Sequence, residues 1–261
     1  MLERRQEIAL PARPRGDDEQ AVVDIGVLTR GKSSLGIALS SLLLQDTRSI
    51  RIHIVDTSES PVVNRDDVTL ALRLAFDREI HCSYERLRER RRGFSLGRLR
   101  LLEVLRSKHV CFVDDDMALT APVVRLLLAA AQHQGDYACI SPACVNATVP
   151  LGGSTADSPY HPGSLFHLDD AVRDVLMRYY ASTVDVVDAI RTNDKVWEVA
   201  FLGELFRQVD RPCVHEPRAV VYHLDYHELA NWSLGDPAIM RRSVNLARQL
   251  VGREQRQPLA V

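Results

Sequence analysis

Lysine is scarce in this 261-residue chain, aromatics are few, cysteines form no paired motif and no apolar run is long. Each shortage excludes something. Lysine occurs only at Lys32, Lys108 and Lys195, so arginine carries most of the positive charge. With a formal net charge of -2 and 6% aromatics, the composition argues against a broad nucleic-acid surface. The cysteines, Cys82, Cys111, Cys139, Cys144 and Cys213, are odd in number and contain no C-x-x-C pair, so a reduced, cytoplasmic protein is expected. The longest apolar stretch, Val123 to Ala131, is interrupted by Arg125 and is too short to span a bilayer. The N-terminus holds no apolar core of signal-peptide length, so no transmembrane anchor is expected. Neither a Walker pattern nor Gly-x-Gly-x-x-Gly is present, which removes the commonest nucleotide fingerprints.

The residues that are present alternate between strand and helix patterns. Residues 1–19 read as a flexible polar leader. Ala21 to Leu28 is an apolar strand that ends in the small polar turn Thr29 to Ser34. Leu35 to Leu44 has helical spacing, with Ser33 or Ser34 as N-cap, and Ile50 to Val55 is the next strand, ending at Asp56. Strand, helix and strand at this spacing make a βαβ unit and predict a mostly parallel central sheet flanked by helices. A helix over Val68 to Phe76, a strand over Ile80 to Tyr84 and a helix over 98–106 follow, with the basic run Arg86 to Gly93 read as a solvated helical face. Beyond the strand His109 to Val113, Pro122 opens a helix to about Gln132, and Tyr137 to Ser141 is a strand. The Gly- and Pro-rich stretch 149–162 is a loop, 169–180 and 195–209 are helices, and Pro217 to Tyr222 is a last strand. One α/β domain over 20–236 is expected, with a C-terminal helix and tail over 237–261.

The densest chemistry is Asp114-Asp115-Asp116, which closes the strand from His109. Carboxylates crowded at a strand end need a compensating partner: a divalent cation, an arginine or open water. A strand period of two puts Asp114 and Asp116 on one side and Asp115 on the other. The alternative is an acidic turn capping the next helix. Thr29, Arg30, Gly31 and Lys32 stand just before a helix N-terminus, where amides and the helix dipole favour phosphates. Asp56, with Ser58 beside it, ends the second strand, where ligands of open α/β sheets bind.

The order of these signals resembles the family 2 glycosyltransferases, which have the nucleotide-diphospho-sugar transferase (GT-A) fold. The residues carrying the resemblance are Asp24 to Thr29, Ala38 to Gln45, Ile54 to Ser58, Phe112 to Asp116, Asn193-Asp194 and Glu216 to His223. The resemblance implies a single GT-A domain, with a nucleotide-binding half over about 20–120 and an acceptor half over about 121–236. It implies a nucleotide-diphosphate sugar as donor, probed first as UDP or GDP sugars, and Mn2+ or Mg2+ as cofactor. Thr29, Arg30, Asp56, Ser58, Arg98, Asp114 and Asp115 would bind the nucleotide-sugar, while Asp116 and His223 would hold the metal. Asp194 would be the catalytic base of an inverting transfer to a small or soluble acceptor. A homodimer is compatible with this reading. Two departures stand out: Asn193 occupies the place of the acidic partner of Asp194, which leaves Asp188, Glu198 and Glu204 as substitute bases, and no Gln-x-x-Arg-Trp motif is present. Alternatives are a sugar-phosphate nucleotidyltransferase, a non-catalytic sugar-nucleotide-binding protein, and a separate metal cluster at His223, Asp225 and His227.

Overall fold

A computed structural model describes residues 23–47, 49–87, 93–146, 163–183, 202, 205–206 and 211–224. The leader, the 149–162 loop, Asp188, Asp194, Glu198, Glu204, Asp225, His227 and the tail lie outside the described residues. The chain order is β1 (Val23–Thr29), α1 (Leu35–Leu43), β2 (Ile50–Asp56), α2 (Asp66–Asp77), β3 (His81–Arg86), α3 (Gly93–Val104) and β4 (His109–Asp114). It continues with β5 (Met117–Leu119), α4 (Val123–Gln134), β6 (Cys139–Asn146), β7 (Leu165–His167), α5 (Asp170–Thr183) and β8 (Cys213–His223).

The sheet runs β3-β2-β1-β4-β7-β6-β8-β5. β1 is buried along its whole length, as a strand covered on both faces must be. It pairs in parallel with β2 and with β4, and β2 pairs in parallel with β3, so the βαβ units read from the sequence are present. The expectation of a mostly parallel sheet is corrected, because β7 is antiparallel to both β4 and β6, and β5 is antiparallel to β8. The sheet is mixed. The cause is the pair of three-residue strands, β5 and β7, which are too short to show a period in the sequence. A register shift between Pro142 and Ala143 moves the β8 partner from Glu216 to Val220. Pro217, which has no amide hydrogen to give, falls in that gap.

Two hydrophobic layers sandwich the sheet. Leu35, Leu39 and Leu42 of α1, Val68 and Ala71 of α2 and Val123 and Leu127 of α4 pack on one face. Leu101 and Leu102 of α3 and Val172, Leu176 and Tyr180 of α5 pack on the other. Buried Gln45 ties the layers to the loops: its amide donates to the carbonyls of Ser41 and Thr120 (both 3.0 Å), and its Oε1 accepts from the amide of Val124 (3.0 Å). Arg86 was expected to open a solvated helical face, but it is the last residue of β3, and residues 88–92 lie outside the described residues. All the cysteines are unpaired, and burial pushes the thiols of Cys82, Cys111 and Cys139 up to about 12, so these three are inert packing residues. Among the described residues no helix is long and apolar enough to cross a membrane.

Candidate active site

β1, β2 and β4 are parallel and adjacent, so Thr29, Asp56 and Asp114 end side by side at one edge of the sheet. β4 stops at Asp114, and the chain turns through Asp115 and Asp116 into β5. Strand alternation therefore ends one residue into the triplet. Each carboxylate has a partner of its own, and the Asp114 and Asp116 charges both act on the Cys144 thiol.

Asp114 faces into the protein. Its Oδ1 is 3.2 Å from Nη2 of Arg98, whose guanidinium lies between the rings of Phe94 and Phe112 at 5.1 and 4.8 Å from their centroids. Arg98 is only 1% exposed, packed against Asp114.

Asp115 turns toward the first βα loop. Its Oδ2 accepts from the Thr29 hydroxyl (2.7 Å), the Arg30 amide (3.0 Å) and the Lys32 amide (3.4 Å). The loop amides expected to favour a phosphate thus already face an anion, supplied by the chain itself. Ser34 occupies the N-cap of α1 but makes no capping bond; its hydroxyl donates to the Asp115 carbonyl instead (3.0 Å). Burial pushes the Asp115 carboxyl above its usual range and the Asp116 charge adds to that, while the Thr29 and Arg30 hydrogen bonds pull the other way.

Asp116 meets the third strand system. Its carbonyl accepts from the Leu224 amide (2.7 Å), and Met117, its neighbour, pairs with His223 across β5 and β8. This register sets Nε2 of His223 3.5 Å from Asp116 Oδ2, and Nζ of Lys32 lies 2.8 Å from the same oxygen. Asp116 Oδ1 is buried and has no hydrogen-bond partner among the described residues. Among the described residues no group of three or more His, Cys, Asp and Glu side chains could hold a metal ion alone. One carboxylate and one imidazole would suit a divalent ion that takes its remaining oxygen ligands from elsewhere.

Asp56 is fully buried, and each of its carboxylate oxygens has a partner. Its Oδ1 accepts from the Ser58 amide (2.8 Å), and its Oδ2 from the Val62 amide (2.9 Å) and the Tyr84 hydroxyl (2.7 Å). It organises the 57–62 loop, and Thr57 ties that loop to β1 through its hydroxyl, which donates to the Thr29 carbonyl (3.0 Å). Arg30 is exposed and Ser58 half-buried on the two loops that frame the edge. Tyr84 and Arg65 also shape these loops but escaped the sequence reading, and Arg86, read there as part of the basic run, joins them. Arg86 donates to the Glu59 carbonyl (2.6 Å), and Arg65 grips the Thr29–Ser34 turn. Tyr84 and Arg65 act across distant chain segments, which no local motif marks.

No family model and no curated protein matches the chain. Solved structures do. S. aureus TarS 1-349 in complex with UDP-GlcNAc aligns at 12% identity over 88% of this chain and 66% of that one, with a TM-score of 0.57. GalNAc-T7 with UDP, GalNAc and Mn2+ aligns at 14% identity over 89% of this chain and 49% of that one, with a TM-score of 0.58. The chain has a glycosyltransferase fold of the GT-A type. It spans under two thirds of the length of these two neighbours. S. aureus TarS 1-349 in complex with UDP aligns over 92% of this chain and 76% of that one, at 13% identity and a TM-score of 0.54. Within this GT-A fold, Thr29, Asp115, Asp116 and His223 come together, Arg98 pairs with Asp114, Asp56 holds the Ser58 and Val62 amides, and Asp194 lies outside the described residues.

Proposed function

We propose that the protein is a metal-dependent glycosyltransferase that moves one sugar from a nucleotide-diphosphate sugar to a small or soluble acceptor in the cytoplasm. The observation that carries this reading is the meeting of Asp116, His223 and the Thr29-Asp115 pair at one sheet edge, drawn from β1, the β4–β5 turn and β8. The fold's neighbours were solved with UDP, UDP-GlcNAc and Mn2+, which supports a uridine nucleotide as the first donor class to test. The half over 20–120 would bind the nucleotide and the half over 121–236 the acceptor.

Asp116 and His223 would hold Mn2+ or Mg2+, whose contribution is to neutralise charge on the diphosphate leaving group. Thr29, Arg30 and Ser58 line the nucleotide's side of the edge. Asp56 acts through the 57–62 loop that it holds, and Arg98 through Asp114. Asp115, locked to the first loop, fixes that loop against the β4–β5 turn. Asp194 would accept the proton of the acceptor hydroxyl as that oxygen bonds to the anomeric carbon, while the nucleoside diphosphate departs with the bonding electron pair. Attack from the face opposite the leaving group inverts the anomeric centre.

Titration calorimetry with UDP, with and without Mn2+, tests the reading. The wild type should bind UDP more tightly when Mn2+ is present, and Asp116→Asn should lose that gain. Mn2+ enhancement that survives Asp116→Asn would overturn the metal assignment. Asp194→Asn should keep UDP binding but lose transfer by about a hundredfold or more, and retained turnover would move the base to another acid.

A further inference from the structure

Three adjacent carboxylates at one turn each need compensation, and the fold compensates them in three ways. Asp114 has a buried arginine, Asp115 a hydroxyl and amides, and Asp116 the Lys32 ammonium. The first two partners are fixed: Arg98 is 1% exposed between two rings, and Thr29 is completely buried. Lys32 differs, since its side chain keeps 23% exposure on a flexible four-carbon stem.

The Lys32 backbone, by contrast, is clamped. Arg65 Nη1 donates to the carbonyls of Gly31 (3.1 Å) and Lys32 (2.6 Å), and Nη2 donates to that of Ser33 (3.0 Å). The guanidinium also pairs with Asp67, at 3.0 Å through Nε and 2.6 Å through Nη2. Gly31 takes φ +88°, in the left-handed region open to glycine, and a Cβ there would lie 3.0 Å from Cβ of Ser58. The lysine is therefore a movable cation on a fixed base, and Asp116, 1% exposed, is a fixed acceptor.

We propose that Lys32 is an exchangeable counter-ion of Asp116, which makes divalent-cation binding depend on the donor's diphosphate. This rests on the reading of Asp116 as a metal ligand. An ammonium and a divalent ion on one carboxylate repel each other, the more so where little water screens them. Without nucleotide, the ammonium holds the carboxylate and disfavours the metal. A diphosphate at the same edge offers the ammonium a second anionic partner, so both cations are accommodated together. Lys32 also keeps the acidic turn neutralised in the donor-free protein.

The test is Mn2+ binding to the full chain, read from the electron paramagnetic resonance signal of free Mn2+, with and without UDP. Wild type should bind Mn2+ weakly alone and much more tightly with UDP. Lys32→Gln should tighten binding of Mn2+ alone by about tenfold or more and shrink the gain from UDP. Lys32→Arg, which keeps the cation, should retain the wild-type pattern. Adding Asp116→Asn to Lys32→Gln should abolish the tightened binding. If Lys32→Gln leaves the affinity for Mn2+ alone unchanged while UDP still promotes Asp116-dependent binding, the role of Lys32 is refuted and the metal reading stands. If no Asp116-dependent Mn2+ binding occurs under either condition, both are overturned.

Discussion

At the scale of single residues, Arg98 separates a structural from a binding role. Its guanidinium compensates Asp114 from inside the protein, where Asp114 is itself only 5% exposed. Removing one member of a buried ion pair strands the other charge, which costs about 3–5 kcal/mol, whereas replacing both with apolar groups costs much less. Arg98→Leu should therefore lower stability by that amount in urea denaturation, and Arg98→Leu with Asp114→Val should recover a large part of it. A direct donor contact would instead give a loss of UDP affinity at unchanged stability. The sequence exposed the acidic triplet and the order of Thr29, Asp56 and the aspartates, because those residues end strands in succession. It did not expose how the triplet divides. The partners Arg98, Thr29 and Lys32 arrive from other elements, which no local pattern marks.

At the scale of elements, α1 and α2 are held in register by a point contact and by the Arg65 clamp beside it. A Cβ built on Gly36 would lie 2.3 Å from Oδ2 and 2.8 Å from Cβ of Asp67. The helix preference of Ala over Gly, about 1 kcal/mol, argues that Gly36→Ala should stabilise α1. The clash argues the reverse, because the Asp67 Cβ moves only with the α2 backbone and overpacking costs about 1–3 kcal/mol. The clash should win, and Gly36→Ala should lower the thermal midpoint by a few degrees. Its effect should also reach the site, since Asp67 pairs with the Arg65 that grips the carbonyls of residues 31–33. UDP affinity should fall together with stability in this variant, and an unchanged affinity would show that the clamp is dispensable. Long elements such as β1, α1, β2 and α4 were legible from their apolar periods. β5 and β7 were not, being three residues each, and with them went the antiparallel pairings of the sheet. The paired strands fix those two: β7 by its register with β4 and β6, and β5 by its register with β8.

For the whole molecule, the pH dependence of stability follows from histidines held neutral away from the active edge. His53 of β2 lies on the α3 side of the sheet, with Nδ1 2.8 Å from the Ser83 hydroxyl and Nε2 3.9 Å from Asp24 Oδ1. Asp24 is already engaged by Arg51 Nε (2.6 Å) and by the amides of Arg106 (2.5 Å) and Ser107 (2.8 Å), so it offers His53 little compensation. Burial is the main reason that the imidazole titrates at about 4; the nearby His81 and Arg51 charges push the same way, and Asp24 opposes them. The unfolded chain takes up this proton near pH 6.5, while the folded chain resists it down to about 4. Between those values the unfolded state binds more protons, so the stabilisation is complete above pH 6.5 and is lost as pH falls toward 4. At about 1.4 kcal/mol per unit the loss from His53 approaches about 3 kcal/mol. His81 and His109, also lowered by burial, act in the same direction. Carboxylates held low by arginines, Asp67 by Arg65 and Glu216 by Arg218, lose their contribution only in the more acidic carboxylate range. Urea midpoints measured from pH 7.5 to 5.5 should therefore fall, and His53→Gln, which keeps a partner for Ser83, should flatten that slope. An unchanged slope in the variant would assign the acid sensitivity to His81 and His109 instead.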